Sequence, residues 1–209
     1  MKKTASFGLS ALLLAGCVSV LPEPVVPDAL YRFQADKAAL NNTPISVPVG
    51  VTIYEPEGSA LLLGRSVVFE NANGELKVIG NAQWSDPASR LFQSLLISRL
   101  SDRNNGAEGQ FVTDRSGART PVELKWRVRD FVIHEGEARC SVRVTLLGAR
   151  NRVIVSQFDL SETVVFKGKN NIAGVQALNQ CAGQVVDQVV TTLPSKLDQA
   201  ALEAVSRRR

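Results

Sequence analysis

Between residues 122 and 166 the chain alternates apolar and polar side chains three times over. A period of two suits a sheet with one dry face and one wet face. Val122, Leu124, Trp126 and Val128 alternate with Glu123, Lys125, Arg127 and Arg129. Cys140, Val142, Val144 and Leu146 repeat the pattern after a Glu135-Gly136 turn. Ile154, Phe158, Leu160, Val164 and Phe166 continue it after Gly148-Ala149-Arg150-Asn151. This predicts a three-stranded antiparallel meander whose arginine- and glutamate-rich face meets water. From Ile172 the period becomes helical. Val175, Leu178, Cys181, Ala182, Val185, Val186, Val189 and Leu193 fall on one broad stripe that ends at or near Pro194. A weaker amphipathic piece follows over residues 195–205.

The first half carries shorter signals. Ile45, Val47, Val49, Val51 and Ile53 alternate with polar or small residues, and Pro48 marks that strand as edge-like or irregular. Residues 66–70 and 75–79 flank Asn71-Ala72-Asn73-Gly74, a tight-turn sequence, and read as a hairpin. Asp86-Pro87 reads as a cap with proline in the first turn of a helix over residues 87–101. Its stripe is Ala88, Leu91, Phe92, Leu95, Leu96 and Leu100. A short strand around Phe111 follows a polar loop at 102–109. The expected architecture is α+β: a mostly antiparallel sheet with two main amphipathic helices packed on one face.

The N-terminus has the three parts of an export signal over residues 1–16. Lys2 and Lys3 come first, then an apolar run from Phe7 to Leu14, then small residues at a cleavage point. The run is too short to span a bilayer, which takes about 20 apolar residues. Leu14-Ala15-Gly16-Cys17 matches a lipobox, so Cys17 is the expected lipidation site. Each buried methylene contributes about 0.8 kcal/mol, so two or three acyl chains hold a protein to a membrane in effect permanently. Val18 follows, where an aspartate would favour retention at the inner membrane, so the expected location is the periplasmic face of the outer membrane. Residues 17–30, with Pro22, Pro24 and Pro27, read as a stiff tether that lifts the domain clear of the lipid. Residues 31–194 read as a single globular domain, and residues 195–209 as a short amphipathic segment with a basic tail, Arg207, Arg208 and Arg209.

The charge and the motifs exclude more than they suggest. The formal charge is +4, and removing Lys2 and Lys3 leaves +2, too little for a nucleic-acid partner. His134 is the only histidine. His134-Glu135-Gly136-Glu137-Ala138 lacks the second histidine of a zinc helix, so a solvent-facing hairpin histidine is the reading. No Gly-x-Ser-x-Gly elbow is present. Gly168-Lys169-Asn170 lacks the rest of a phosphate loop. The expectation is no catalytic residue, no cofactor and no metal, hence no enzyme. The loops at 55–60 and 102–109 are the candidates for partner contact, because long polar loops more often carry function than the strands they join.

Tyr31, the strand through Val47 and Ile53, Leu63-Gly64-Arg65 with Val67-Val68-Phe69, and Trp84 with Asp86-Pro87 opening a helix together resemble the ABC-type transport auxiliary lipoproteins. The later meander and closing helix fit the same pattern. Gly64 departs from it, since the family more often has an aspartate there. The resemblance implies a non-catalytic component of a system that moves lipid between inner and outer membranes. Its partners would be an ABC ATPase and permease and a periplasmic MCE-domain protein, with this chain as the outer-membrane-side dock. Association with further copies of itself is compatible with that role. A lipid-binding carrier and an outer-membrane assembly lipoprotein are the alternatives.

With Cys17 consumed by lipid, Cys140 and Cys181 remain in a compartment where disulfides form and persist. Cys140 shares the phase of Val142 and Val144, and Cys181 lies one turn from Leu178 and from Val185. Both therefore aim at one sheet–helix layer. A disulfide is the favoured reading, and two separately buried thiols the alternative.

Overall fold

The computed structural model describes residues 29–33, 43–105, 109–168 and 171–206. The export signal, Cys17, nearly all of the tether and the three terminal arginines lie outside the described residues. Eight strands form one sheet: β1 (Ala29–Tyr31), β2 (Val51–Ile53), β3 (Ser66–Glu70), β4 (Leu76–Trp84), β5 (Phe111–Thr113), β6 (Val122–His134), β7 (Glu137–Gly148) and β8 (Ile154–Val165). Four α-helices accompany them among the described residues: α1 (Ala60–Leu63), α2 (Ala88–Arg103), α3 (Asn171–Lys196) and α4 (Gln199–Ser206).

β6 is the spine. Along one edge it pairs with β7 over its whole length, and β7 pairs with β8, which is the expected meander. Its other edge is shared by two strands in succession. β2 takes the first part, with Val51 opposite Val122 and Ile53 opposite Leu124. β3 takes the last, with Phe69 opposite Ile133. Both run parallel to β6, as β2 does to β5 and β1 to β4. The sheet is therefore mixed, which corrects the expectation of a mostly antiparallel one. Alternation reports which face of a strand is dry and says nothing about which way its neighbour runs.

A bulge in β6 decides where the core lies. Val128 pairs with Val142 and Asp130 with Ser141, so Arg129 is one residue too many, and the inward phase passes from even to odd positions. Val122, Leu124, Trp126 and Val128 face inward before it, and Phe131 and Ile133 after it, all at most 3% exposed. Phe131 then stands among aromatic rings. Its centroid is 5.5 Å from Trp84, 5.0 Å from Phe92 and 5.6 Å from Phe33. The Trp84 pair is stacked and the other two are edge-to-face, and aromatic pairs of both kinds add about 0.5–1.5 kcal/mol beyond the area they bury.

The strand expected through residues 45–53 is shorter than its pattern. Ile45, Val47, Val51 and Ile53 are buried as the alternation requires, but only Val51–Ile53 forms a ladder. Pro48 has no N–H to give, and Val47 N donates to Asn104 Oδ1 at 2.9 Å instead. The hairpin at Asn71 to Gly74 is present. Gly74 takes φ +78°, and Asn71 Oδ1 accepts from Asn73 N and Glu75 N. β1 begins at Ala29, two residues inside the segment read as tether.

Both main helices form where expected, with two corrections. α2 starts at Ala88 with Pro87 in the cap position and no side-chain cap. The Asp86 carboxylate lies instead near Arg90 at 3.7 Å and Arg65 at 3.8 Å. α3 continues through Pro194 to Lys196. A proline this late forfeits a single bond, and Leu197, 2% exposed, draws the chain onward into the core. α3 packs on β6, β7 and β8, with α2 beside it. α4 is held at its end by Asn151, whose Nδ2 donates to Ala204 O at 2.8 Å.

Cys140 of β7 and Cys181 of α3 are joined by a disulfide, with Cα atoms 5.9 Å apart and a sequence separation of 41. Closing a loop of that length contributes about 3–4 kcal/mol on a chain-entropy account. Thiol counting on the denatured, unreduced mature protein is expected to find no free thiol at either position. Two free thiols would remove the cross-link from the fold. Phe131→Ala is expected to lower the unfolding free energy by about 3–5 kcal/mol in a urea titration. A loss under about 1 kcal/mol would show that the ring cluster is not the packing centre.

Candidate interaction surface

Tyr31, Leu63-Gly64-Arg65 and Trp84-Ser85-Asp86-Pro87, far apart in sequence, meet at one clasp. Trp84 N donates to Arg65 O at 2.8 Å, Ser85 N to Tyr31 O at 2.7 Å and Ala88 N to Gly64 O at 2.9 Å. Trp84 is fully buried, and the clasp joins β1, β3, β4, α1 and α2 by backbone bonds. These residues are therefore structural. Gly64 has a local reason as well, because a Cβ there would sit 2.9 Å from Ala60 O.

Next to the clasp the segment at 55–60 runs along β6, between the stretches taken by β2 and β3. Glu57 N donates to Trp126 O at 2.9 Å, and Val128 N donates to Glu57 O at 2.8 Å. The loop is thus fixed to the sheet, and its side chains point charge outward. Glu55 accepts from Ser89 Oγ at 3.0 Å, pairs with Arg115 and lies 3.6 Å from Arg90. With Asp86 and Arg65 these make a five-charge cluster of three arginines and two carboxylates. Beside it Lys125 Nζ stands 4.7 Å from the Tyr54 ring centre. Burial first, and the neighbouring Glu123 second, raise the Tyr54 hydroxyl above its ordinary pKa.

A second row of charge crosses the outer face of the sheet. Register places Glu57 beside Arg127, Arg127 beside Arg143, and Arg143 beside Asp159. Two arginines directly opposite each other on neighbouring strands repel. Each is relieved from its far side: Arg127 by Glu57 at 3.1 Å, and Arg143 by Asp159 in two parallel bonds of 2.7 and 2.8 Å. Hydrogen bonding to Arg143 lowers the Asp159 carboxyl below its ordinary range, and the same bond raises Arg143. All four side chains are at least 40% exposed. Arg129, the bulge residue, adds a contact of 3.8 Å to Asp159.

The other candidate loop, residues 102–109, is partly described, with 106–108 outside the described residues. Its described part is tied down, since Ile45 N donates to Arg103 O and Asn105 N to Ile45 O. Under it lies a buried charge group that the helical stripe of α2 did not foreshadow. Arg99 and Arg103 are 4% and 7% exposed, and Asp187 Oδ1 of α3 is 3.6 Å from one and 4.0 Å from the other. Burial raises the Asp187 carboxyl above its ordinary range, while the two arginines pull it down. This group joins α2 to α3.

His134 ends β6 at the hairpin and is half-buried, where the sequence suggested a solvent-facing residue. Among the described residues no group of three or more His, Cys, Asp or Glu side chains converges on a metal position. Two open depressions, of about 290 and 400 Å³, lie near Pro48, Gly50 and Thr120 and near Ser101, Asn104 and Phe111. Cys17 lies outside the described residues, and Cys140 and Cys181 come together. The charged row was present in the sequence as the polar half of the alternation. What joined its members was register, which the sequence does not display.

Known proteins place this geometry. The family model described as ABC-type transport auxiliary lipoprotein component matches residues 31–190. No functionally curated protein matches the sequence. The crystal structure of protein XCC0632 from Xanthomonas campestris has a similar fold. Its TM-score is 0.68 at 17% identity, over 84% of this chain and 97% of that one. The crystal structure of an uncharacterized protein gives a TM-score of 0.62 at 15% identity, over 80% of this chain and 99% of that one. The chain belongs to the ABC-type transport auxiliary lipoprotein component family.

Proposed function

We propose that the chain is a non-catalytic lipoprotein anchored through Cys17 at the periplasmic face of the outer membrane. There it docks the periplasmic MCE-domain protein of an ABC system that moves lipid between the two membranes. The observation that carries this reading is the division of the sheet into two faces. α3 covers the inner face of the meander, while the outer face keeps its charged row, Glu57, Arg127, Arg143 and Asp159, open to solvent. A polar face of mixed sign, backed by a disulfide-braced core, suits a reversible contact that must fix orientation. The adjoining cluster around Glu55 extends that face towards the segment at 55–60. Ring-to-ring packing around Phe131 favours a dock over a lipid carrier, which would need a lined cavity.

Cys17→Ala is expected to abolish lipid attachment and release the protein from membrane fractions. The wild-type N-terminal peptide is expected to carry acyl chains by mass spectrometry. A mature N-terminus other than Cys17 would overturn the anchor. After mild crosslinking in cells, the wild-type protein is expected to co-purify with an MCE-domain protein, and its deletion to weaken the outer-membrane barrier. Recovery of barrel-assembly proteins alone would instead favour an assembly role.

A further inference from the structure

One register row marks an end of the sheet and crosses five strands. It runs through Leu76 of β4, Glu70 of β3, His134 of β6, Glu137 of β7 and Val165 of β8. The turns at Gly74 and at Glu135-Gly136 project beyond it. The start of α3 lies at the same end. Phe166 N donates to Gly136 O, Asn171 Nδ2 donates to Asn81 Oδ1 at 3.2 Å, and Gly174 is close-packed against Ile133 and Phe166.

Large apolar side chains are exposed along this rim: Leu76 at 43%, Val78 at 50%, Val165 at 76% and Ile172 at 53%. The opposite end of β8 exposes Ile154, at 61%. Exposed apolar side chains concentrated at one end of a domain suit contact with another surface, and here those of β4 and β8 flank Glu70, His134 and Glu137 of the intervening strands. The charges among them, Glu70, Glu75, Lys77, Glu135, Glu137 and Lys167, are of both signs with acids in the majority, so charge is not what would draw the rim to an anionic surface.

The direction of β1 indicates what lies against the rim. β1 runs parallel to β4 with Ala29 opposite Ala82 and Tyr31 opposite Trp84, so the N-terminal end of β1 points to the rim side. Cys17 is twelve residues before Ala29. An extended chain spans at most about 3.3–3.6 Å per residue, which puts the acylated end within about 43 Å of Ala29.

We infer that this rim seats on the lipid bilayer, with Leu76, Val78, Val165 and Ile172 entering the headgroup region. The inference rests on Cys17 being the lipid anchor. The tether then sets the greatest separation of domain and membrane, and the apolar rim closes it. This revises the sequence expectation that the tether holds the domain clear of the lipid. Seating by apolar insertion persists at high salt, unlike adhesion through charge.

The test uses the full-length lipidated protein in vesicles of phosphatidylethanolamine and phosphatidylglycerol, with and without bromine on the upper acyl carbons. Trp84 and Trp126 are buried, so Leu76→Trp and Ile172→Trp supply reporters on the rim, and Ile154→Trp a reporter at the far end. Rim reporters are expected to lose about twofold in emission, because side chains at the headgroup–acyl boundary lie within reach of shallow bromines. The Ile154→Trp reporter is expected to be unaffected. In unsubstituted protein, amide exchange over residues 71–78 is expected to slow on reconstitution. Protein that floats with the vesicles but shows neither quenching nor slowed exchange overturns the seating while the anchor stands. Equal quenching at all three positions also overturns it, as does a concentration-dependent dimer that protects the rim without quenching. Protein that fails to float overturns the anchor and the seating together.

Discussion

Everything in this fold depends on β6 having two neighbours along one edge. β2 holds its first residues and β3 its last, and Glu57 bridges the interval between them. With an uninterrupted phase the odd-numbered Phe131 and Ile133 would fall on the face opposite Val122, Leu124, Trp126 and Val128. The extra residue at Arg129 resets the phase, so Phe131 and Ile133 face the core that Val122 to Val128 began. The aromatic cluster around Phe131 follows from that one inserted residue, which also sets Phe131 opposite Cys140 of the disulfide.

The same bulge shows what could be read in the sequence and what could not. The meander, the hairpin at Asn71 and the stripes of α2 and α3 were legible because each is a local period with a local turn signal. Cys140 and Cys181 were legible as a pair because strand phase and helix phase each name a face. Strand direction was not legible. β2 and β3 alternate no differently from antiparallel strands, and their parallel pairing with β6 is a matter of long-range topology. Arg99 and Arg103 lie outside the apolar stripe that the helical period picks out, yet they are buried against Asp187 because α3 closes over that side. The charged residues of the outer face were visible singly. Their order, acid, base, base, acid across the segment at 55–60 and three strands, depended on a register no local pattern encodes.

The motifs that mark the family serve the fold more than the contact. Tyr31, Arg65, Trp84 and Asp86 hold the clasp where the first strand, the hairpin and α2 join. A clasp of backbone bonds around a buried indole tolerates wide change on the surfaces it does not touch. That is in keeping with structures at 15–17% identity keeping this fold. Function must then be sought on the surfaces: an apolar rim on the side to which the N-terminal end of β1 points, and a polar sheet face set across it. A domain seated by its rim would present that face sideways, into the periplasm.

Photo-crosslinking from single positions in living cells tests the docking face most directly. A photoreactive residue placed at Arg127 or Arg143 samples the outer face of the sheet, and one at Thr191 samples the exposed side of α3. The account expects crosslinks to a periplasmic component of an ABC transport system from 127 and 143, and none from 191. Crosslinks to that component from 191 alone would place the dock on the helices and contradict it.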